Sequence, residues 1–180
     1  MPQACGSRAA AKAAYRFWSS GRVTPDAIRA APYHATIERE HALILVIQDT
    51  TELNVTHHPA THGLGLLDTV SQWGLKVHLA RAVSSDGVPL GLIHQDVWVR
   101  DPATRGKRHQ RRQRATTDKE SQRWLTALAA TQQAVPPDVA VITVADREAD
   151  SSDLFAAPRR PSDHLLIRAT HHRRVNHAAR

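Results

Sequence analysis

Leu43-Ile44-Leu45-Val46-Ile47-Gln48-Asp49 is an unbroken aliphatic, largely β-branched run that ends in an amide and an acid. It is short for a helix and lacks a polar face, so residues 43–48 read as a strand buried on both sides, near the centre of an α/β sheet. A second run of the same kind, Val139-Ala140-Val141-Ile142-Thr143-Val144-Ala145, also ends in an acid, Asp146. Open α/β sheets collect functional groups at the carboxyl ends of adjacent strands. If the two runs pair in parallel, Asp49 and Asp146 face each other across a gap suited to a hard cation such as Mg²⁺, which takes one or two carboxylates, waters and phosphate oxygens. An Asp after a strand is equally an ordinary cap or turn residue. Spacing and composition leave both readings open.

The flanking sequence fits an α/β arrangement with a mixed sheet. Residues 75–83 and 88–99 read as two extended segments around Ser84-Ser85-Asp86-Gly87, a hairpin signal. Residues 56–74, with Pro59, Gly63, Gly65 and Gly74, read as a loop. From Asp118 to about Ala134 a helix is expected, with Trp124, Leu125, Leu128 and Ala129 on its apolar stripe and Pro136-Pro137 beyond its end. A short helix near 149–157 and a last strand from His164 to Ala169 follow. Ahead of the sheet, 7–18 reads as an Ala-rich helix, Thr24-Pro25 as the cap and first residue of another, and 33–41 as a third.

With 180 residues, 41% of them apolar, the chain suits one globular domain. No apolar run approaches the roughly 20 residues needed to cross a bilayer. A lone Cys5 excludes an internal disulfide and a thiolate zinc site. Any metal must therefore be held by oxygen or imidazole. The net charge of +7 favours a polyanionic partner. Arg105, Lys107, Arg108, Arg111, Arg112 and Arg114 crowd one stretch without aromatics, which suits phosphate contact rather than base reading. His57, His58 and His62 share a loop, but lack the spacing of a metal site. The four tryptophans are expected mostly in core or loop packing.

Five stretches carry a resemblance. They are Ala14-Tyr15-Arg16-Phe17 with Arg22-Val23-Thr24-Pro25; Asp49-Thr50-Thr51-Glu52-Leu53; Gly91-Leu92-Ile93-His94-Gln95 with Trp98; Lys119-Glu120-Ser121 with Trp124-Leu125; and Asp146-Arg147-Glu148-Ala149-Asp150. In this order, they resemble DDE transposases of the insertion-sequence-four family, in its transposon-five branch. The resemblance implies a ribonuclease H-like core in which Asp49 and Asp146 are catalytic and hold Mg²⁺, with Mn²⁺ as a substitute. Apart from the resemblance, Glu120 and Arg147 are expected to orient groups near Asp146, with Thr50 and Glu148 as further supporting residues around the two acids. Arg168 would serve DNA beside the site, supported by Arg173 and Arg174. Where the family continues with a Lys, this chain has Thr170.

Cut-and-paste transposition is the implied activity, by phosphodiester hydrolysis and strand transfer. The implied partners are double-stranded DNA, at transposon ends and targets, and a second copy or a full-length transposase. The expected location is cytoplasmic and nucleoid-associated, with no membrane. The family's third carboxylate, a Glu in a Tyr-Arg-Glu-Lys signature, does not occur before Arg180. The chain therefore reads as a fragment: 1–41 a helical remnant of the N-terminal DNA-binding part, 42–180 a partial ribonuclease H-like catalytic domain, incomplete at its C-terminus. As such it is expected to cut poorly. The competing classes are an inactive DNA-binding remnant that regulates an intact transposase, and an unrelated RNA-binding protein.

Overall fold

The computed structural model describes residues 4–24, 27–28, 41–69, 71–101 and 120–170. The helix expected at 33–41 (all but its last residue), the basic run 105–114, and Arg173 and Arg174 lie outside the described residues. The architecture is α/β, with a mixed six-stranded sheet. Its strands are β1 (Leu43–Asn54), β2 (Gly65–Leu66), β3 (Trp73–Ser84), β4 (Pro89–Trp98), β5 (Ala140–Ala145) and β6 (Asp163–Ile167). The helices are α1 (Arg8–Trp18), α2 (Gln122–Ala134) and α3 (Ser152–Ala156), with one 3₁₀ turn at Arg147–Ala149.

β1 is the hinge of the topology. On one side it pairs antiparallel with β3, from Ile44↔Ser84 to Asn54↔Gly74. On the other it pairs parallel with β5, but only from Leu43↔Ala140 to Gln48↔Ala145. β6 extends the parallel half, and both β2 and β4 lie on the far side of β3. The expected parallel pairing of the two apolar runs is present. The expectation that β1 stops at Gln48 is corrected: the strand runs on to Asn54. The reason is the partner. β3 continues the ladder after β5 has left it, and Thr50 and Thr51 are residues at ease in a strand. Asp49 is thus the first residue past the parallel pairing, not the end of the strand.

Burial along β1 alternates. Ile44, Val46 and Gln48 are buried, whereas Ile47 on the opposite face is 42% exposed. Strands wet on one face show this period of two, so the expectation of burial on both faces is also corrected. The core lies on one side of the sheet. Ile44, Val46, Ala80, Ala82, Ile93 and Val141 meet Ala127 of α2 there. A second cluster joins Trp124 and Leu128 of α2 to Ala145, Ala149 and Leu154. On the other side, Ile47 and Leu166 of β6 stay open, among the described residues.

The β3–β4 hairpin forms where expected. Ser84 N donates to Val88 O at 2.9 Å, and Gly87 takes φ +84°, which L side chains rarely adopt. The segment read as a loop over 56–74 holds the short strand β2, paired with Trp73 and Gly74. Along α2 the buried residues are Trp124, Ala127, Leu128 and Thr131, at helical spacing. Ala129, expected on that stripe, is exposed; five residues on from Trp124, it sits about 140° around the helix. β6 begins at Asp163, whose buried carboxylate is held by Arg160 through Nε at 2.9 Å and Nη2 at 3.0 Å. It ends two residues before the expected Ala169.

Candidate functional site

Asp49 and Asp146 are brought to the same edge of the sheet from different elements. Asp49 follows Gln48 and Asp146 follows Ala145, the last residues of the parallel pairing, so the two acids stand one step beyond it on neighbouring strands. Both residues are exposed. Asp49 lies opposite Leu79 of β3, and its Oδ2 accepts from Thr51 Oγ1 at 3.5 Å. Asp146 caps the 3₁₀ turn: its Oδ1 accepts from Glu148 N at 2.8 Å. The cap reading of this Asp is therefore correct, and it occupies only one oxygen. Among the described residues, no group of three or more His, Cys, Asp or Glu is arranged to hold a metal ion.

Glu148 feels both acids through their charge. Burial raises its pKa above the ordinary value, and the negative charge of Asp146 raises it further. Smaller contributions come from Asp68 and Asp49, against the pull of Lys76. Arg147 is exposed, and its carbonyl accepts from Thr170 Oγ1 at 3.0 Å, while Thr170 N donates to Asp150 Oδ2 at 2.7 Å. Thr170, where the transposases resembled in sequence carry a Lys, thus ties the segment after β6 to the turn that carries Asp146. Arg168 N donates to Ala145 O at 3.1 Å, which sets this exposed arginine beside the strand end that leads to Asp146.

Behind the two acids, on the α2 side, lies a polar cavity of about 280 Å³ whose lining includes Thr50, Asp68, Lys76, Arg100, Glu120 and Glu148. Its walls are an ion network. Lys76, buried in β3, reaches Asp68 at 2.7 Å and Glu52 at 3.2 Å. Arg100 grips Glu120 through Nε and through Nη2, the latter at 2.8 Å, and also bonds Asp68. Burial disfavours the Asp68 carboxylate, but Lys76 and Arg100 outweigh that and hold its pKa at about 2. The Glu120 hydrogen bond, aided by Asp68, raises Arg100 above its ordinary value against the opposing effect of burial. Glu120, expected to orient groups near Asp146, is instead engaged by Arg100. Gly65 makes this packing possible, since a Cβ there would run into the backbone of Arg100.

Lys76, His78, Asp68 and Arg100 were not singled out in the sequence. A signal was present for two of them. Lys76 and His78 fall in the same every-second-residue series as Ala80 and Ala82, which are buried in the core, so a period of two marks both as inward-facing polar residues. His78 is wholly buried against Trp124, with ring centroids 4.5 Å apart. Of the other tryptophans, Trp98 lies under the Arg123 guanidinium at 3.6 Å. Trp73 and Trp18 are 41% and 58% exposed, within an expectation of packing that covered most of the tryptophans and not all, and Trp18 meets the Phe17 ring at 5.0 Å. His57, His58 and His62 are exposed.

The other charged surface is α1. Ser7 caps it, its Oγ accepting from Ala10 N at 3.1 Å. Arg8, Lys12 and Arg16 recur every four residues and so share one side of the helix. With Tyr15 they line a shallow groove, and all four residues are exposed. Residues 1–23 match the family model for transposase DNA-binding. That match supports a transposase-related family and a DNA-binding role, and it falls on the segment that carries this basic helix. No helix among the described residues is long and apolar enough to cross a membrane.

Proposed function

We propose that this chain is a transposase of the insertion-sequence-four lineage, with a ribonuclease H-like core in which Asp49 and Asp146 hold Mg²⁺ or Mn²⁺. The observation that carries the proposal is the parallel pairing of β1 with β5, one step beyond which stand the two acids. Antiparallel pairing among β1–β4, followed by β5 and β6 parallel to β1, with α2 and α3 on one face, is compatible with such a core. The donor set fits the ion. Both acids offer hard, exposed oxygens, and Mg²⁺ takes most of its shell from water and phosphate.

When bound, the ion supplies charge neutralisation at the phosphate and a more acidic water. The protein's share is positional. The cap bond from Glu148 N fixes the orientation of Asp146, and the β1–β3 ladder fixes Asp49. Arg168 and the basic stretch Arg105–Arg114 neutralise DNA phosphates, and the stripe on α1 does the same for transposon-end DNA. Pairing of two copies on two DNA ends belongs to the same reading.

The transposases that this chain resembles use a third carboxylate, and no group of three such ligands occurs among the described residues. That favours a second reading, in which this chain occupies DNA and regulates an intact transposase instead of cutting. Fluorescence anisotropy and cleavage assays on duplexes carrying transposon ends separate the outcomes. The expected result is salt-sensitive duplex binding with little or no Mn²⁺-dependent nicking. Efficient nicking abolished by Asp146→Ala would establish the full transposase and remove the regulatory reading. Absence of duplex binding at low salt would remove both.

A further inference from the structure

We propose that His78 is a positioning residue that clamps β1 on both sides of Asp49; the proposal rests on the metal reading of Asp49 only for its functional consequence. Gln48 and Thr50 flank Asp49 and turn their side chains to the α2 face, where His78 of β3 lies between them. Its Nε2 is 3.3 Å from Gln48 Oε1 and its Nδ1 2.9 Å from Thr50 Oγ1. A carbonyl oxygen only accepts, so Nε2 carries the hydrogen and donates it. Nδ1 of the neutral ring is then the acceptor, and the Thr50 hydroxyl donates. One ring thus holds residues i−1 and i+1 around the acid.

The ring itself has little freedom. It is fully buried and its side is closed by the edge-on indole of Trp124. Burial lowers its pKa to about 4, with the neighbouring charges of His94 and Arg123 acting the same way and Asp96 opposing. The neutral form that the two bonds require is therefore the form present near neutral pH. The clamp acts where support is otherwise thinnest, since β5 leaves β1 after Gln48 and only β3 continues beside Asp49. Residues that orient a ligating carboxylate from behind have measurable weight in metal sites.

The test uses the whole chain with Thr50→Val, Thr50→Ser and His78→Phe, and Thr131→Val as a control that removes a buried hydroxyl bonded to Ala127 O at 2.8 Å, away from the acids. Backbone hydrogen exchange of residues 47–51 is compared with that of residues 43–46, and Mn²⁺ affinity is read by electron paramagnetic resonance. Thr50→Val and His78→Phe are expected to lower protection at 47–51 about fivefold beyond any fall at 43–46, as one lost buried hydrogen bond allows. Mn²⁺ affinity is expected to fall about tenfold, the lower end for outer partners of metal ligands. Thr50→Ser restores both, and Thr131→Val leaves the exchange ratio unchanged. Exchange at 47–51 that moves only in step with 43–46 overturns the clamp. A wild-type chain that binds no Mn²⁺ overturns the metal reading instead, and the exchange ratio still decides the clamp.

Discussion

Asp146 has two separable roles, and two substitutions tell them apart. As a cap it satisfies the backbone N–H of Glu148, a duty Asn performs nearly as well and Ala does not. Asp146→Ala is expected to lower stability by about 1 kcal/mol in urea unfolding. Asp146→Asn is expected to leave stability within about 0.5 kcal/mol of the parent, so any function it loses reports on charge. His78 gives a pH signature. Its folded pKa of about 4 lies below the ordinary 6.5, so the unfolded chain binds the extra proton first. Stability from this group is complete above about pH 6.5 and declines as pH falls toward about 4, by on the order of 2–3 kcal/mol. Asp68, held at about 2 against an ordinary 3.8, adds its own loss only at lower pH. Urea unfolding at pH 7 and pH 4.5 checks the sign, and His78→Phe is expected to remove most of the difference. A parent protein equally stable at both values contradicts the buried neutral ring.

At the scale of elements, the Arg100–Glu120 pair closes the base of the segment that carries Arg105–Arg114, because its partners flank that segment in sequence. Glu120→Ala is expected to cost about 1–3 kcal/mol, the loss of a charge-assisted, partly buried pair. Replacing the six basic residues is expected to weaken duplex binding alike for all sequences and to flatten the salt slope by up to about 5. An unchanged slope, measured by anisotropy from low to moderate salt, would show that the stretch does not meet phosphate. Elements were legible where chemistry is local. Gly87 marked its turn, Ser7 and Pro136 fall at helix boundaries, and the two apolar runs marked the pairing strands. The length of β1 was not legible, because residues 49–54 are polar except for Leu53 and owe their extended form to β3. Nor was the Lys76–Asp68–Arg100–Glu120 network, whose members are scattered along the chain and meet only after the sheet has formed.

For the molecule as a whole, one side of the sheet carries α2, α3 and the core, while Ile47 and Leu166 remain open on the other. The acids sit at the rim between the sides, where the parallel strands end and solvent reaches both carboxylates. Their juxtaposition was legible as a conditional: it needed only parallel pairing of the two runs. What occupies them was not legible from spacing, because a capping Asp and a ligating Asp are the same residue after the same strand. On the reading proposed above, Asp49 and Asp146 act together on one cation. A Mn²⁺ titration of the full chain, followed by electron paramagnetic resonance, tests it in the parent, Asp49→Asn and Asp146→Asn. A shared site predicts a bound ion in the parent whose affinity falls by at least about tenfold in either variant and is lost in the double variant. Binding that survives both substitutions, or responds to only one, contradicts a shared site.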